Sequence, residues 1–138
     1  MKKQIFTLLA VLSLGFTSFA QTATATAVNN VVVTNLSTER FKAIIVNAKP
    51  GELIDLRTTD EMNKGFIKGA IQLDFLAKDA AKQIDKLDKT KPYYVYCAAG
   101  GRSSEAAEYM SKHGFKQVYN LEKGFSDWAK KGFAVDKK

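Results

Sequence analysis

Cys97 is the only cysteine of the chain, and it stands between the β-rich run Tyr93-Tyr94-Val95-Tyr96 and the small residues Ala98-Ala99-Gly100-Gly101. Arg102-Ser103-Ser104 follows and opens a helical pattern. A thiol between a strand end and a helix start is ringed by backbone N–H groups, which favour negative charge. These residue types suit a nucleophile whose anionic product is held by loop amides. The attacking species is the thiolate, and at the ordinary pKa near 8.5 only about 3% of a thiol is ionised at pH 7. Lowering the pKa to ~6 ionises about 90% and needs roughly 3.4 kcal/mol. A helix terminus supplies ~2 kcal/mol at best. The amides of Ala98 to Ser103, helped by Arg102, must therefore supply the rest. Gly100 and Gly101 allow positive φ angles and close approach to a ligand, and Ala98 and Ala99 leave the floor of the loop open. Ser103 or Ser104 reads as a helix cap that can also donate to the sulfur.

A lone cysteine at the end of a buried strand is ordinarily a small hydrophobe; the glycine loop after Cys97 is what favours the nucleophile. His113 is the single histidine. It falls at a helix end away from the loop, so no Cys–His pair is expected. One cysteine and one histidine give neither an intrachain disulfide nor a cysteine-cluster metal site. Arg102 can stabilise the anion or brace the loop against a carboxylate. Asp55, at the end of a neighbouring strand, is the expected partner and a scaffold rather than a proton donor. Arg57 either attracts an anionic substrate or forms a structural ion pair. Trp128, Phe125 and Tyr119 read as core or rim.

The elements that position this loop alternate. Val31-Val32-Val33-Thr34 is β-branched, and Ser37 caps a helix to about Asn47 whose buried face is Phe41, Ile44 and Ile45. Pro50-Gly51 is a turn before the strand Leu53-Ile54-Asp55-Leu56. Thr58 or Thr59 caps a short helix with Glu61 and Met62. The loop Gly65–Gly69 leads to a strand at Ala70–Leu73. Residues 74–89 read as a helix with Leu76, Ala80, Ile84 and Leu87 on one face and lysines on the other. Pro92 ends it before the strand Tyr93–Tyr96. A helix runs to His113 on Ala106, Ala107 and Met110, with Gly114 at C′. A strand over 116–121 and a helix over 124–131 complete the chain. Alternation of this kind predicts an α/β domain of about five strands, mainly parallel, with ligands at the carboxyl ends of the strands.

Of 138 residues, 46% are hydrophobic and 25% charged, which fits one globular domain. Met1–Ala20 has a secretory pattern: Lys2-Lys3, an apolar stretch Ile5–Phe16, and the small-x-small site Ser18-Phe19-Ala20. Cleavage after Ala20 would give a periplasmic or secreted protein without stable membrane insertion. Residues 21–30 read as a disordered tether and 31–138 as the domain. Loss of Lys2 and Lys3 lowers the net charge from +7 by two, to +5. That suits small anionic substrates. No arginine-rich tract with interleaved aromatics points to nucleic acid, and the lysines from Lys78 to Lys91 read as a solvated face. A monomer is expected.

From about Ser37 to Val135 the chain resembles a single rhodanese domain, most of all the small exported or stand-alone sulfurtransferases with a CxxGxRS loop. The resemblance rests on four blocks in order: Leu53-Ile54-Asp55-Leu56-Arg57, Gly65-Phe66-Ile67-Lys68-Gly69-Ala70-Ile71, Val95 to Ser103, and Gly124-Phe125-Ser126-Asp127-Trp128. Phe66 and Lys68 depart from the family's usual histidine and proline. The resemblance implies a rhodanese-like α/β fold with helices on both sheet faces. It implies transfer of a sulfane sulfur from thiosulfate or a similar donor to cyanide or a thiol through a Cys97 persulfide, with no cofactor. The persulfide cradle would be Ala98, Ala99, Gly100, Gly101, Arg102 and Ser103, supported by Asp55 and Arg57. A persulfide carrier and a non-catalytic binding module share the fold. A phosphatase or arsenate reductase also uses a Cys-to-Arg loop, but one residue longer; the ring from Cys97 to Arg102 suits a single sulfur.

Overall fold

The computed structural model describes residues 32–137, so the leader expected over 1–20 and the tether expected over 21–30 lie outside the described residues. Ten elements alternate: β1 (Val32–Leu36), α1 (Thr38–Ile45), β2 (Leu53–Asp55), α2 (Thr59–Asn63), β3 (Ile71–Gln72), α3 (Ala80–Asp85), β4 (Pro92–Tyr96), α4 (Gly101–Lys112), β5 (Gln117–Leu121) and α5 (Gly124–Lys130). The strands form one sheet in the order β1-β5-β4-β2-β3, and every strand pair is parallel. All carboxyl ends therefore point the same way, with β4 at the centre and Cys97 just past its end.

Period-two alternation along β4 divides the core. Tyr93, Val95 and Cys97 face a cluster completed by Ala80 and Ile84 of α3 and Ala106, Ala107 and Met110 of α4. Tyr94 and Tyr96 face the opposite cluster, with Phe41 of α1 and Trp128 of α5. A strand apolar on both faces is what a central parallel position requires, and helices cover both sides as expected. Ser37 caps α1 by accepting from the Arg40 amide at 3.4 Å. Gly114 follows α4 with φ +85°, the left-handed C′ position. No helix among the described residues is long and apolar enough to cross a membrane.

One expected element is much shorter. The helix expected over residues 74–89 is only Ala80–Asp85. Asp74 accepts from the Leu76 amide at 2.9 Å, and Phe75 donates to the Leu56 carbonyl at 3.2 Å. An aspartate bonded to its own downstream backbone competes with helix formation, and the strand-end contact holds the turn. Leu76, expected on the buried face, is 65% exposed. Ala80 and Ile84 are buried as expected.

Candidate active site at the end of the central strand

Cys97 is 1% exposed and reduced, and the loop after it turns immediately into α4. Gly100 is the N-cap residue with φ +101°, and its amide donates to the Cys97 Sγ at 3.1 Å. A side chain would not fit: a Cβ on Gly100 would lie 1.9 Å from the Glu122 carbonyl oxygen. The Gly100 carbonyl accepts from the Ser104 amide at 3.0 Å and from the Ser103 hydroxyl at 3.1 Å. Thus the loop's carbonyl enters the helix while its amide stays on the sulfur.

Burial pushes the Cys97 thiol up, but the Ser103 hydroxyl and the amides of Ser103, Ala99 and Gly100 outweigh it, and the net displacement is downward. The thiolate is therefore favoured by hydrogen bonds and not by an adjacent base. His113 is exposed, with Nδ1 2.7 Å from the Tyr109 carbonyl.

The far side of the loop is anchored by α5. The amides of Phe125 and Ser126 donate to the carbonyls of Cys97 and Ala98 at 2.8 and 2.9 Å. The Ala98 carbonyl shares its peptide plane with the Ala99 amide, so holding that carbonyl on α5 leaves the Ala99 amide turned toward the sulfur. Gly124 makes the approach possible: with φ +64°, a Cβ there would come 2.5 Å from the Ala98 carbonyl oxygen. Gly124 is thus part of the loop's architecture, a role the sequence reading did not assign. Its only signal was membership of the fourth motif block.

Three expectations are corrected. Helix α4 starts at Gly101, so Ser103 and Ser104 lie inside its first turn and neither caps it. Gly101 has no positive φ and a Cβ there meets nothing within 4 Å, so the special backbone belongs to Gly100 alone. Arg102 pairs not with Asp55 but with Glu61: NH1 donates to Oε2 at 2.8 Å and NH2 to Oε1 at 2.7 Å. Strand parity gives the reason. Asp55 is the register partner of Tyr96 and shares its face, whereas Cys97 and α4 lie on the other.

Glu61 is doubly held. Its Oε2 also accepts from the Thr58 amide and hydroxyl, each at 3.0 Å, completing a capping box at the start of α2. The Arg102 guanidinium, opposed by burial and aided by Thr58, brings the Glu61 carboxyl down to about 2. The pair remains ionised throughout the neutral range.

Asp55 and Arg57 form a buried scaffold instead. Arg57 Nε donates to Asp55 Oδ1 at 2.9 Å and NH2 to Oδ2 at 2.6 Å. NH2 also reaches the Gly65 carbonyl at 2.7 Å, and the guanidinium stacks 3.9 Å from the Phe125 ring centroid. The Tyr96 hydroxyl donates to Asp55 Oδ2 at 2.8 Å and accepts from the Ile67 amide at 3.1 Å. Asp55 is fully buried and Arg57 only 4% exposed, so of the two roles considered for Arg57 the ion pair is the one present. Among the described residues no cluster of histidine, cysteine and carboxylates could hold a metal ion.

A family model described as "Rhodanese-like domain" matches residues 37–131. The chain is 36% identical over 95 residues to a protein of Shewanella oneidensis named thiosulfate sulfurtransferase GlpE, covering 64% of this chain and 92% of that one. It is 30% identical over 99 residues to the putative sulfur carrier protein YrkF of Bacillus subtilis, covering 72% of this chain and 52% of that protein. Among solved structures, a rhodanese-like domain protein from Staphylococcus aureus superposes with a TM-score of 0.64 at 26% identity, over 76% of this chain and 98% of that one.

Proposed function

The chain belongs to the rhodanese-like domain family, and from that premise we propose that it is a sulfurtransferase working through a persulfide on Cys97. The observation that carries the proposal is the Gly100 amide 3.1 Å from Sγ in a loop whose hydrogen bonds favour the thiolate. The Cys97 thiolate attacks the outer sulfur of thiosulfate or a similar donor. A new S–S bond to Cys97 forms as the donor's S–S bond breaks, and sulfite leaves with the electron pair. Cyanide or a thiolate then attacks the terminal sulfur, leaving as thiocyanate or a persulfide and returning Cys97 to the thiolate. One difficult transfer becomes two displacements, and the amides of Ala99, Gly100 and Ser103 hold the negative sulfur in both resting forms. We further propose that the chain is exported, on the leader pattern of Met1–Ala20, and that it acts as a monomer.

The likeness to a protein named a putative sulfur carrier favours a second reading, in which the same persulfide is handed to a protein thiol. Both readings require that Cys97 load sulfur. Mass spectrometry after thiosulfate treatment is expected to show a gain of one sulfur on Cys97 and none in Cys97→Ser. Turnover with cyanide then separates the enzyme from the carrier. Failure of every sulfane donor to load the intact thiol would sink both.

A further inference from the structure

The loop bears one guanidinium, and that charge is not free. Both terminal nitrogens of Arg102 are engaged by the two oxygens of Glu61, while the Arg102 and Glu61 side chains retain 22% and 30% exposure. The pair is therefore partly open to solvent, the Cys97 thiolate and Arg102 feel each other's charge, and Cys97 itself is 1% exposed. The negative field of Asp74 also falls on Arg102. A rim arginine left unpaired would favour donors by charge, a dianion more than a monoanion. Paired as it is, it cannot.

We propose that Glu61 sets donor selectivity: by cancelling the charge of Arg102 at the mouth of the Cys97 loop, it removes the preference for a dianionic donor and admits monoanionic sulfane-sulfur compounds such as thiosulfonates on equal terms. Glu61 is a positioning residue that acts through Arg102. The proposal rests on the sulfurtransfer reading for its donors, and its chemistry balances: Cys97–S⁻ and R–SO2–S⁻ give Cys97–S–S⁻ and the sulfinate R–SO2⁻.

Glu61→Gln removes the charge at nearly constant shape. Glutamine serves as well as glutamate at the third position of a capping box, so its carbonyl can keep the Thr58 contacts now made by Oε2. Its amide then faces Arg102 NH2 in place of Oε1, and the guanidinium keeps one partner instead of two. The rim charge of the pair becomes +1 in Glu61→Gln, −1 in Arg102→Gln, and zero again in the double variant. Since each donor charge feels the same rim potential, the effect on a dianion is the square of that on a monoanion. A unit charge at a hydrated rim is worth about threefold for a monoanion and about tenfold for a dianion at low salt.

The test measures rates of sulfur loading from thiosulfate and from methanethiosulfonate, and rates of Cys97 alkylation by iodoacetate and iodoacetamide. All are taken relative to neutral iodoacetamide, which removes any change in the thiolate fraction. In Glu61→Gln, thiosulfate should gain about tenfold and both monoanions about threefold. Arg102→Gln should reverse the pattern, and the double variant should return to wild-type ratios. Changes that are equal for all reagents, or a double variant still far from wild type, would overturn the proposal and leave Glu61 as a brace. If no donor loads Cys97, the sulfurtransfer reading falls with the donor assignment. The iodoacetate ratio still decides whether Glu61 sets the rim charge.

Discussion

Two adjacent glycines in the loop should behave oppositely when replaced by alanine. In Gly100→Ala the new Cβ meets the Glu122 carbonyl oxygen at 1.9 Å from a backbone with φ +101°. The left-handed backbone costs about 1–2 kcal/mol for an L-residue, and overpacking against a carbonyl adds about 1–3 kcal/mol. The loop can relieve that strain only by carrying Gly100 away from Glu122, and its amide moves with it. Loss of a hydrogen bond to a charged sulfur is worth about 1.5–3 kcal/mol, or about 1–2 pKa units on Cys97. At pH values below the native Cys97 pKa the thiolate fraction then falls roughly tenfold or more. Gly101→Ala meets no atom within 4 Å and sits at the start of α4, where alanine stabilises a helix by roughly 0.5–1 kcal/mol over glycine. The assay is titration of the thiolate absorbance of Cys97 in both variants, beside the rate of sulfur loading from thiosulfate. Gly100→Ala should titrate higher and load slowly, and Gly101→Ala should match wild type. Equal damage at both positions, or an unshifted Cys97 in Gly100→Ala, would refute the reasoning.

The Asp55–Arg57 pair should govern stability. Asp55→Asn leaves the buried Arg57 guanidinium without its counter-charge and should cost about 3–5 kcal/mol in urea unfolding; a loss below about 1 kcal/mol would mean the network is dispensable. Because the native thiol is displaced downward, its contribution to stability is absent below the native pKa and complete above the unfolded value near 8.5. Wild type should therefore gain on Cys97→Ser as pH rises through that window, and a gain on acidification would contradict the displacement. The Glu61 carboxyl, held down to about 2 against an ordinary 4.5, works in the same direction at lower pH: the stability it lends should disappear between those values, and Glu61→Gln should lack that step. His113 is exposed and bonded only within its own helix end, so His113→Ala should leave the loading rate within about twofold; a tenfold loss would return it to the site.

What could be read from the chain depended on whether the signal was local. Ser37 and Thr58 as caps, the β-rich run of β4, and the cysteine before its glycines all act within a few residues, and each sits where expected. The segment after Asp74 was local too. There, however, the helical spacing competed with an aspartate turn and a contact to the end of β2, and the turn prevailed. The partner of Arg102 needed information of another kind. Two carboxylates, Asp55 and Glu61, lie close to it in the order of elements, and only the parallel register of β2 on β4 assigns Asp55 to the Tyr96 face. That register is a property of the assembled sheet. A capping glutamate also gives no outward sign that its second oxygen is available to another helix.

The division of labour between Gly100 and Gly124 follows the same logic and shows why the loop needs the whole fold. A positive φ at Gly100 aims one amide at sulfur, but by itself a glycine loop is free to turn that amide elsewhere. It is held because the Glu122 carbonyl lies directly against Gly100, and because α5 takes the carbonyls of Cys97 and Ala98. Both restraints come from the end of β5 and the start of α5, more than twenty residues further along the chain. They reach the loop only because β5 lies beside β4 in the sheet. The Cys97 loop is therefore one face of a junction between two strand ends, and its geometry depends on their pairing. A substitution that loosened β4 from β5 should raise the Cys97 titration even with every residue of the loop intact.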